Sequence, residues 1–172
     1  PTMIRALGAM LIVCAAGYVG LSQAMLLRQR AKILAALQTA VALMKNEISS
    51  HLTPLPDVYK LAALTAPQPL SDFFDQLSRD LLNPDAGTVQ QATRRNLDRY
   101  ELLLRASERQ ALLDLAAALG RYDVEGQLRA LDLAGTRLEG FAAQAQAEQK
   151  ERGKAWGVLG VCAGLALVIL LV

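Results

Sequence analysis

The chain has few of the residues that build metal and redox sites. Among its 172 residues there is one histidine, His51, and there are two cysteines, Cys14 and Cys162. A protein metal site usually needs three or four histidine, cysteine or carboxylate ligands, and a disulfide framework needs several cysteine pairs. Neither a disulfide framework nor a Cys/His metal site can be assembled from these three residues, so we expect no metal, no cofactor and no redox chemistry.

Motifs that carry catalytic chemistry are also missing. The sequence contains no G-x-S-x-G, G-x-x-x-x-G-K-[ST], G-x-G-x-x-G or H-E-x-x-H segment, so no nucleophile elbow, phosphate-binding loop or zinc helix is indicated. The carboxylates are spread at helical spacing from basic residues, as in Asp98 and Arg94, which is typical of a solvated surface. His51 stands beside a predicted turn and is interpreted as a loop residue. We therefore predict no catalytic residues and no enzyme activity.

Charge of either sign is close to balance. The 18 basic and 16 acidic residues give a net charge of +2. This is too little to create the positive field that concentrates nucleic acid. The composition therefore argues against a nucleic-acid partner.

The charges are unevenly distributed along the chain. Residues 6–27 and 155–172 contain none. As helices, these runs of 22 and 18 residues would extend about 33 and 27 Å, which suits a hydrocarbon core of about 30 Å. We predict a transmembrane helix in residues 1–27, a soluble domain in 28–154 and a second transmembrane helix in 155–172. The alternative is that both runs are core helices of a soluble protein.

Basic residues border both apolar runs on the side of the middle domain: Arg28, Arg30, Lys32, Lys150, Arg152 and Lys154. Only Arg5 lies on the outer side of the first run. Because lysine and arginine accumulate on the cytoplasmic side of membrane spans, this asymmetry predicts a cytoplasmic middle domain. The alternative is a cleaved signal peptide, since Ser22 and Ala24 imitate a cleavage site, and it would place the domain outside.

Both apolar runs are predicted to continue into the domain as long helices. Apolar residues at steps of three and four extend the first helix to about Ser50, and a similar pattern extends the last helix from Val124, capped by Asp123, to residue 172. We expect these two helices to pair antiparallel, because otherwise their apolar seams would face water.

Four short helices are predicted between them. Thr53 is expected to cap the first, with Pro54 at its first position and one apolar face. That face comprises Leu55, Val58, Leu61 and Leu64. The next helix carries an apolar stripe from Leu70 to Leu81 and stops at Asn83-Pro84.

Two capping-box patterns mark the remaining short helices. Thr88 with Gln91 predicts the start of a helix that reaches about Leu104, and Ser107 with Gln110 predicts the next. The latter should end at Gly120 as a left-handed C-cap. The predicted fold is therefore all-α, a cytoplasmic bundle of about six helices flanked by an N-terminal and a C-terminal transmembrane helix.

Small residues recur at steps of four in both apolar runs. They are Ala16, Gly20, Ala24, Gly153, Gly157, Gly160 and Gly164. Such tracks allow helix backbones to approach closely, which favours packing of spans within one chain or in a homo-oligomer. The alternative is that glycine and alanine are simply common in membrane helices.

A second candidate surface is basic. Arg94, Arg95 and Arg99 fall on one predicted helix, with Arg105 and Arg109 further along. Such a surface could dock an acidic partner, although interleaved carboxylates also fit a plain solvated face.

Three stretches and the opening residues resemble a known family. They are Leu34 to Leu55, with Glu47-Ile48 and Thr53-Pro54-Leu55; Leu119-Gly120-x-x-Asp123 with Gln127; Lys154 to Val172, with Leu159-Gly160 and Gly164-Leu165; and Arg5-Ala6-Leu7-Gly8-Ala9. In this order the chain resembles the stage III sporulation protein AB family of spore-forming bacteria over nearly its full length.

The resemblance implies a non-enzymatic membrane component of the channel that joins mother cell and forespore. Its cytoplasmic helices would be similar to the type II secretion F-type platform proteins, which hold a cytoplasmic ATPase at the membrane. The implied partners are other stage III channel proteins, notably the ATPase stage III sporulation protein AA. The implied location is the mother-cell side of the outer forespore membrane. A two-span sensor or an assembly adaptor without a secretion role is the alternative.

Overall fold

The protein is all-helical over the residues that the computed structural model describes, 2–121 and 123–171, with part of the side chains left out near both ends. Its six α-helices are α1 (Thr2–His51), α2 (Leu55–Thr65), α3 (Leu70–Leu82), α4 (Val89–Arg99), α5 (Ala106–Leu119) and α6 (Val124–Leu171). A short 3₁₀ turn, Pro84–Ala86, links α3 to α4. The predicted all-α bundle, with two long and four short helices, is confirmed in this part of the chain.

The two long helices pair antiparallel, as predicted. Arg30 of α1 forms an ion pair with Glu148 of α6, and Lys45 forms one with Asp132. Lys45 lies 15 residues after Arg30 on α1, whereas its partner Asp132 lies 16 residues before Glu148 on α6. The two helices therefore run in opposite directions. This register holds α1 and α6 side by side through the bundle.

The core lies between this pair and the short helices. The buried face of α1 includes Ile33, Leu34, Leu37, Val41, Met44 and Ile48, and that of α6 includes Leu131, Leu138, Ala142 and Ala145. Each large apolar side chain buried here stabilises the fold by about 1.5–3 kcal/mol. The three-four spacing in the sequence is thus the spacing of the core.

The start of α2 differs from the prediction. Pro54, not Thr53, is the N-cap residue, and it makes no side-chain capping bond. The Thr53 hydroxyl instead donates to the Glu47 carboxylate at 3.1 Å, which ties the turn back to α1. The prediction of Thr53 as the cap of α2 is wrong, because its hydroxyl bonds to Glu47 of α1 and not to a backbone N–H of α2.

The predicted apolar face of α2 is also wrong in part. Val58 is buried, but Leu61 and Leu64 are exposed, Leu64 by 74%, while Tyr59, Ala62 and Ala63 are buried. The two alanines let α3 approach closely, and the Ser71 hydroxyl of α3 donates to the Ala63 carbonyl at 2.9 Å. Close packing against α3 therefore decides which face is buried.

Helix α3 follows its prediction. Its N-terminal half buries Leu70, Phe73, Phe74 and Leu77. Phe73 meets Phe74 and Tyr100 edge to face, at centroid distances of 5.4 and 6.5 Å. The contact between Phe73 and Tyr100 holds α3 against the end of α4.

Helix α4 begins as predicted and ends early. The Thr88 hydroxyl accepts from the Gln91 N–H and the Gln91 side chain accepts from the Thr88 N–H, which completes the capping box. The helix stops at Arg99 rather than near Leu104, because the Arg109 guanidinium donates to the Leu97 carbonyl at 2.8 Å and Leu103 takes a left-handed backbone with φ of 55°.

Both predicted ends of α5 need correction. The helix begins at Ala106, and its capping interaction is a hydrogen bond from the Arg105 N–H to the Glu108 carboxylate at 2.7 Å, so Ser107 is not the cap. Gly120 is the C-cap but is right-handed, with φ of −87°. A Cβ there would lie 3.1 Å from Val89, so close packing of α4 explains the glycine. The Asp123 cap of α6 is confirmed by a bond from the Gly126 N–H at 3.0 Å.

Within the described residues, we find no helical segment that is both long and apolar enough to span a bilayer. Many side chains of residues 6–27 and 155–172 lie outside that description. The two spans, and the division at residues 27 and 154, remain predictions from the sequence.

Candidate functional site

Four charged side chains meet where α1, α5 and α6 come together. They are Arg30, Arg105, Glu108 and Glu148, which we call the ion cluster. Arg30 projects from the core face of α1, Arg105 precedes α5, Glu108 lies in its first turn and Glu148 lies on α6. The cluster is the one place in the described bundle where a buried cation and a buried anion pair.

The geometry links three helices through Arg30 and Glu148. The Arg30 guanidinium donates to Glu108 from one terminal nitrogen, and to Glu148 from the other at 3.2 Å. Arg105 binds Glu148 with two parallel bonds of 2.9 and 2.7 Å. This bidentate pairing favours one position and orientation of the Arg105 guanidinium and so ties the start of α5 to α6.

Burial differs within the cluster. The side chains of Arg30 and Glu108 are exposed by only 8% and 1%, whereas that of Glu148 is exposed by 22% and that of Arg105 by 48%. The Arg30 Nε is buried and has no hydrogen-bond partner among the described atoms. Removing either charge of a buried pair is costly, because the other is left without compensation.

Glu148 is held against two basic groups, which favours its ionised form. Hydrogen bonds from Arg105 lower the pKa of Glu148, partial burial opposes this, and the charges of Arg105 and Arg30 add to the lowering. The bond to Glu148 in turn raises the pKa of Arg105. A carboxylate that stays ionised under these conditions is suited to holding helices together rather than to moving protons.

In the sequence these residues suggest other roles. Arg30 is one of the bases that flank the first apolar run, and Arg105 follows the basic residues Arg94, Arg95 and Arg99. One signal could have found the cluster: Arg30 stands three and four residues before the core residues Ile33 and Leu34. A charged residue on an apolar stripe is rare unless it is paired.

The basic residues Arg94, Arg95 and Arg99 lie away from the ion cluster, on the outer side of α4, and all three are exposed. The opposite face of α4 buries Ala92, Thr93, Asn96 and Leu97. The Arg99 guanidinium lies 5.8 Å from the centre of the Tyr100 ring. Asp98 pairs with Arg109 and not, as the spacing suggested, with Arg94.

The small-residue tracks are described only in part. Gly20 is buried and Ala24 is half-buried, whereas Gly153 is exposed and a Cβ there would meet nothing within 4 Å. The surroundings of Ala16, Gly157, Gly160 and Gly164 lie outside the described part of the chain. Span packing by these residues stays a prediction.

Among the described residues, no group of three or more histidine, cysteine, aspartate or glutamate side chains could hold a metal ion. Cys14 and Cys162 are free and exposed.

Comparisons with known proteins agree with the resemblance in the sequence. The sequence model of the family described as stage III sporulation protein AB matches residues 5–172. The stage III sporulation protein AB of Bacillus subtilis (strain 168) is 31% identical over 171 residues, which are 98% of this chain and 99% of that protein. A solved structure of a stage III sporulation protein AB is 26% identical and superposes with a TM-score of 0.62, covering 72% of this chain and 98% of that one. By sequence and by fold, the chain belongs to the stage III sporulation protein AB family.

Proposed function

We propose that the protein is a non-enzymatic scaffold of the sporulation channel, anchored by its two end helices in the membrane and docking a cytoplasmic ATPase on its helical bundle. The observation that carries the proposal is the ion cluster. It joins α5 to both α1 and α6. These contacts lie at the end of the bundle that is next to the two apolar runs.

Charge supports the membrane anchoring and the cytoplasmic side. Residues 6–27 and 155–172 carry no charged residue, and α1 and α6 each continue without a break from these runs into the bundle. Of the bases between the bundle and the runs, Arg28 and Lys32 are exposed and available for a membrane surface, while Arg30 is used inside the bundle. Residues 28–154 would then form the cytoplasmic domain on the mother-cell side of the outer forespore membrane.

Topology is tested with a cysteine at Glu101, which is exposed in the segment between α4 and α5. In a Cys14→Ser, Cys162→Ser background, Glu101→Cys should stay unlabelled by an impermeant thiol reagent on intact cells and become labelled after lysis. Labelling of intact cells would contradict the cytoplasmic assignment and favour a domain exported by a signal peptide.

The outer side of α4 is the proposed docking surface for the ATPase, which the family resemblance identifies as stage III sporulation protein AA. Arg94, Arg95 and Arg99 are exposed there, while the other side of α4 is fixed to α3 by a bond from the Asn96 amide to Asp80 at 2.7 Å. Exposed positive charge on a rigid helix favours an acidic partner surface through steering and complementarity.

Co-purification of the full chain with the ATPase from detergent-solubilised membranes tests the docking surface. The triple variant Arg94→Glu, Arg95→Glu, Arg99→Glu should lose the ATPase. A matched control reverses three exposed arginines elsewhere, Arg79, Arg121 and Arg129, and should keep it. Equal recovery with both variants would remove α4 from the proposal.

A further inference from the structure

A groove of about 450 Å³ runs along the seam of α1 and α6 near the apolar ends of both helices. Its polar lining comes from Arg28 and Lys32 of α1 and from Gln146, Gln149 and Lys150 of α6. Lys32 follows Arg28 by four positions, and Lys150 follows Gln146 by four, so each of these pairs lies on one face of its helix. The floor is made by alanines, among them Ala31, which is buried.

The groove is positively charged without compensation. Its lining holds three cations and two amides but no carboxylate. Glu148 is engaged on the bundle side by Arg105 and Arg30. Glu151 follows Lys150 but lies about 100° further round the helix and is not part of the lining. Within the described residues, the three cations take part in no ion pair.

The position of the groove matches a membrane surface. Arg28 directly follows the first apolar run, and Lys150 precedes the second run by five residues, which is about 7.5 Å along a helix. The antiparallel register brings the two residues to the same level, since Arg30 pairs with Glu148. The groove therefore opens at the depth where lipid headgroups would lie.

We propose that this groove binds the phosphate group of an anionic phospholipid, with Arg28, Lys32 and Lys150 around the phosphate and the two glutamine amides as further donors. A guanidinium can bind a phosphate through two parallel hydrogen bonds, and basic pockets between spans at the cytoplasmic surface suit lipid headgroups. The inference rests on the proposed function, because it requires α1 and α6 to cross the membrane.

Native mass spectrometry of the full chain in mild detergent tests the site, with phosphatidylglycerol and phosphatidylcholine of equal acyl chains as probes. We expect phosphatidylglycerol to be retained about tenfold or more over phosphatidylcholine, since each nearby base adds attraction to anionic lipid. The variant Arg28→Gln, Lys32→Gln, Lys150→Gln should retain both lipids equally. The control Arg79→Gln, Arg121→Gln, Arg129→Gln removes the same charge elsewhere and should keep the preference.

Three outcomes would overturn the inference: equal retention of the two lipids by the unmodified chain, an unchanged preference in the groove variant, or loss of the preference in the control as well. A further arm adds excess inorganic phosphate. Phosphatidylglycerol should remain bound, and its complete displacement would show a site for free phosphate instead.

Alkaline extraction of membranes separates this inference from the proposed function. A chain that stays in the membrane but shows no lipid preference would refute the groove alone. A chain that is released by alkali would refute the membrane anchoring itself.

Discussion

The guanidinium of Arg30 and the carboxylate of Glu108 meet inside the bundle although they are 78 positions apart in the chain. Both side chains are buried, exposed by only 8% and 1%, and Glu148 is the second carboxylate that binds Arg30. This contact joins α1 to α5, two helices that are far apart in the chain.

Glu108→Gln is expected to lower the free energy of unfolding by about 3 kcal/mol, because it leaves the buried Arg30 charge with Glu148 alone. The amide oxygen of glutamine can still accept from the Arg105 N–H, so the start of α5 is kept. The double variant Arg30→Met, Glu108→Gln should be more stable than Glu108→Gln. Urea denaturation of the detergent-solubilised chain, followed by circular dichroism, measures both, and a double variant no more stable than the single one would refute the pairing.

Acid should weaken the contact between α5 and α6. The folded pKa of Glu148 lies below its ordinary value of about 4.3, chiefly because Arg105 donates two hydrogen bonds to it. The stabilisation is complete above that ordinary value and is lost as the pH falls through the lower, folded pKa. Unfolding measured from pH about 6 to 3 should show stability falling with acid, and Glu148→Gln should flatten the curve. If the stability of the variant falls with acid as steeply as that of the unmodified chain, Glu148 does not contribute to the pH dependence.

Gly120→Ala is expected to destabilise the protein by about 1 kcal/mol, because the added Cβ would lie 3.1 Å from the Val89 side chain. Val89→Ala in the same chain should reduce that loss. Gly140→Ala is the matched control: a Cβ there meets nothing within 4 Å, so the better helix propensity of alanine should stabilise α6 by about 0.5–1 kcal/mol. Thermal unfolding distinguishes them, and shifts of the same sign would contradict the close approach at Gly120.

Thr88→Ala should cost about 1 kcal/mol, because its hydroxyl caps the Gln91 N–H at 3.2 Å. Ser107→Ala should change stability by less than about 0.5 kcal/mol, since Ser107 is exposed and α5 is capped through Arg105 and Glu108. Both residues begin a capping-box pattern in the sequence, but only Thr88 caps a helix in the structure. An equal loss in both would mean that Ser107 does cap the helix.

The helix ends that the sequence predicted well depend on contacts within a few residues. The Thr88–Gln91 box and the Asp123 cap need no distant partner, so their patterns were sufficient. The end of α4 depends on Arg109, ten residues beyond Arg99, and the buried face of α2 depends on how closely α3 approaches. Local periodicity cannot contain such information.

The ion cluster was predictable only in outline. Arg30 stands on an apolar stripe, which marks it as a residue that needs a buried partner. Which carboxylate supplies that partner depends on how α5 and α6 fold back onto α1, since Glu108 and Glu148 are both far from Arg30 in sequence. The basic residues of α4, in contrast, lie where helical spacing placed them, on the exposed side.

Helix α6 is a single α-helix of 48 residues, from Val124 in the bundle to Leu171. At 1.5 Å per residue it is about 72 Å long, and the residues after Glu148 account for about 34 Å of that length. Because no loop interrupts the helix, the direction that the bundle gives it at Glu148 is kept to its C-terminal end. A tilt of about 5° at Glu148 would displace that end by about 3 Å, whereas a loop between two shorter helices would take up the change.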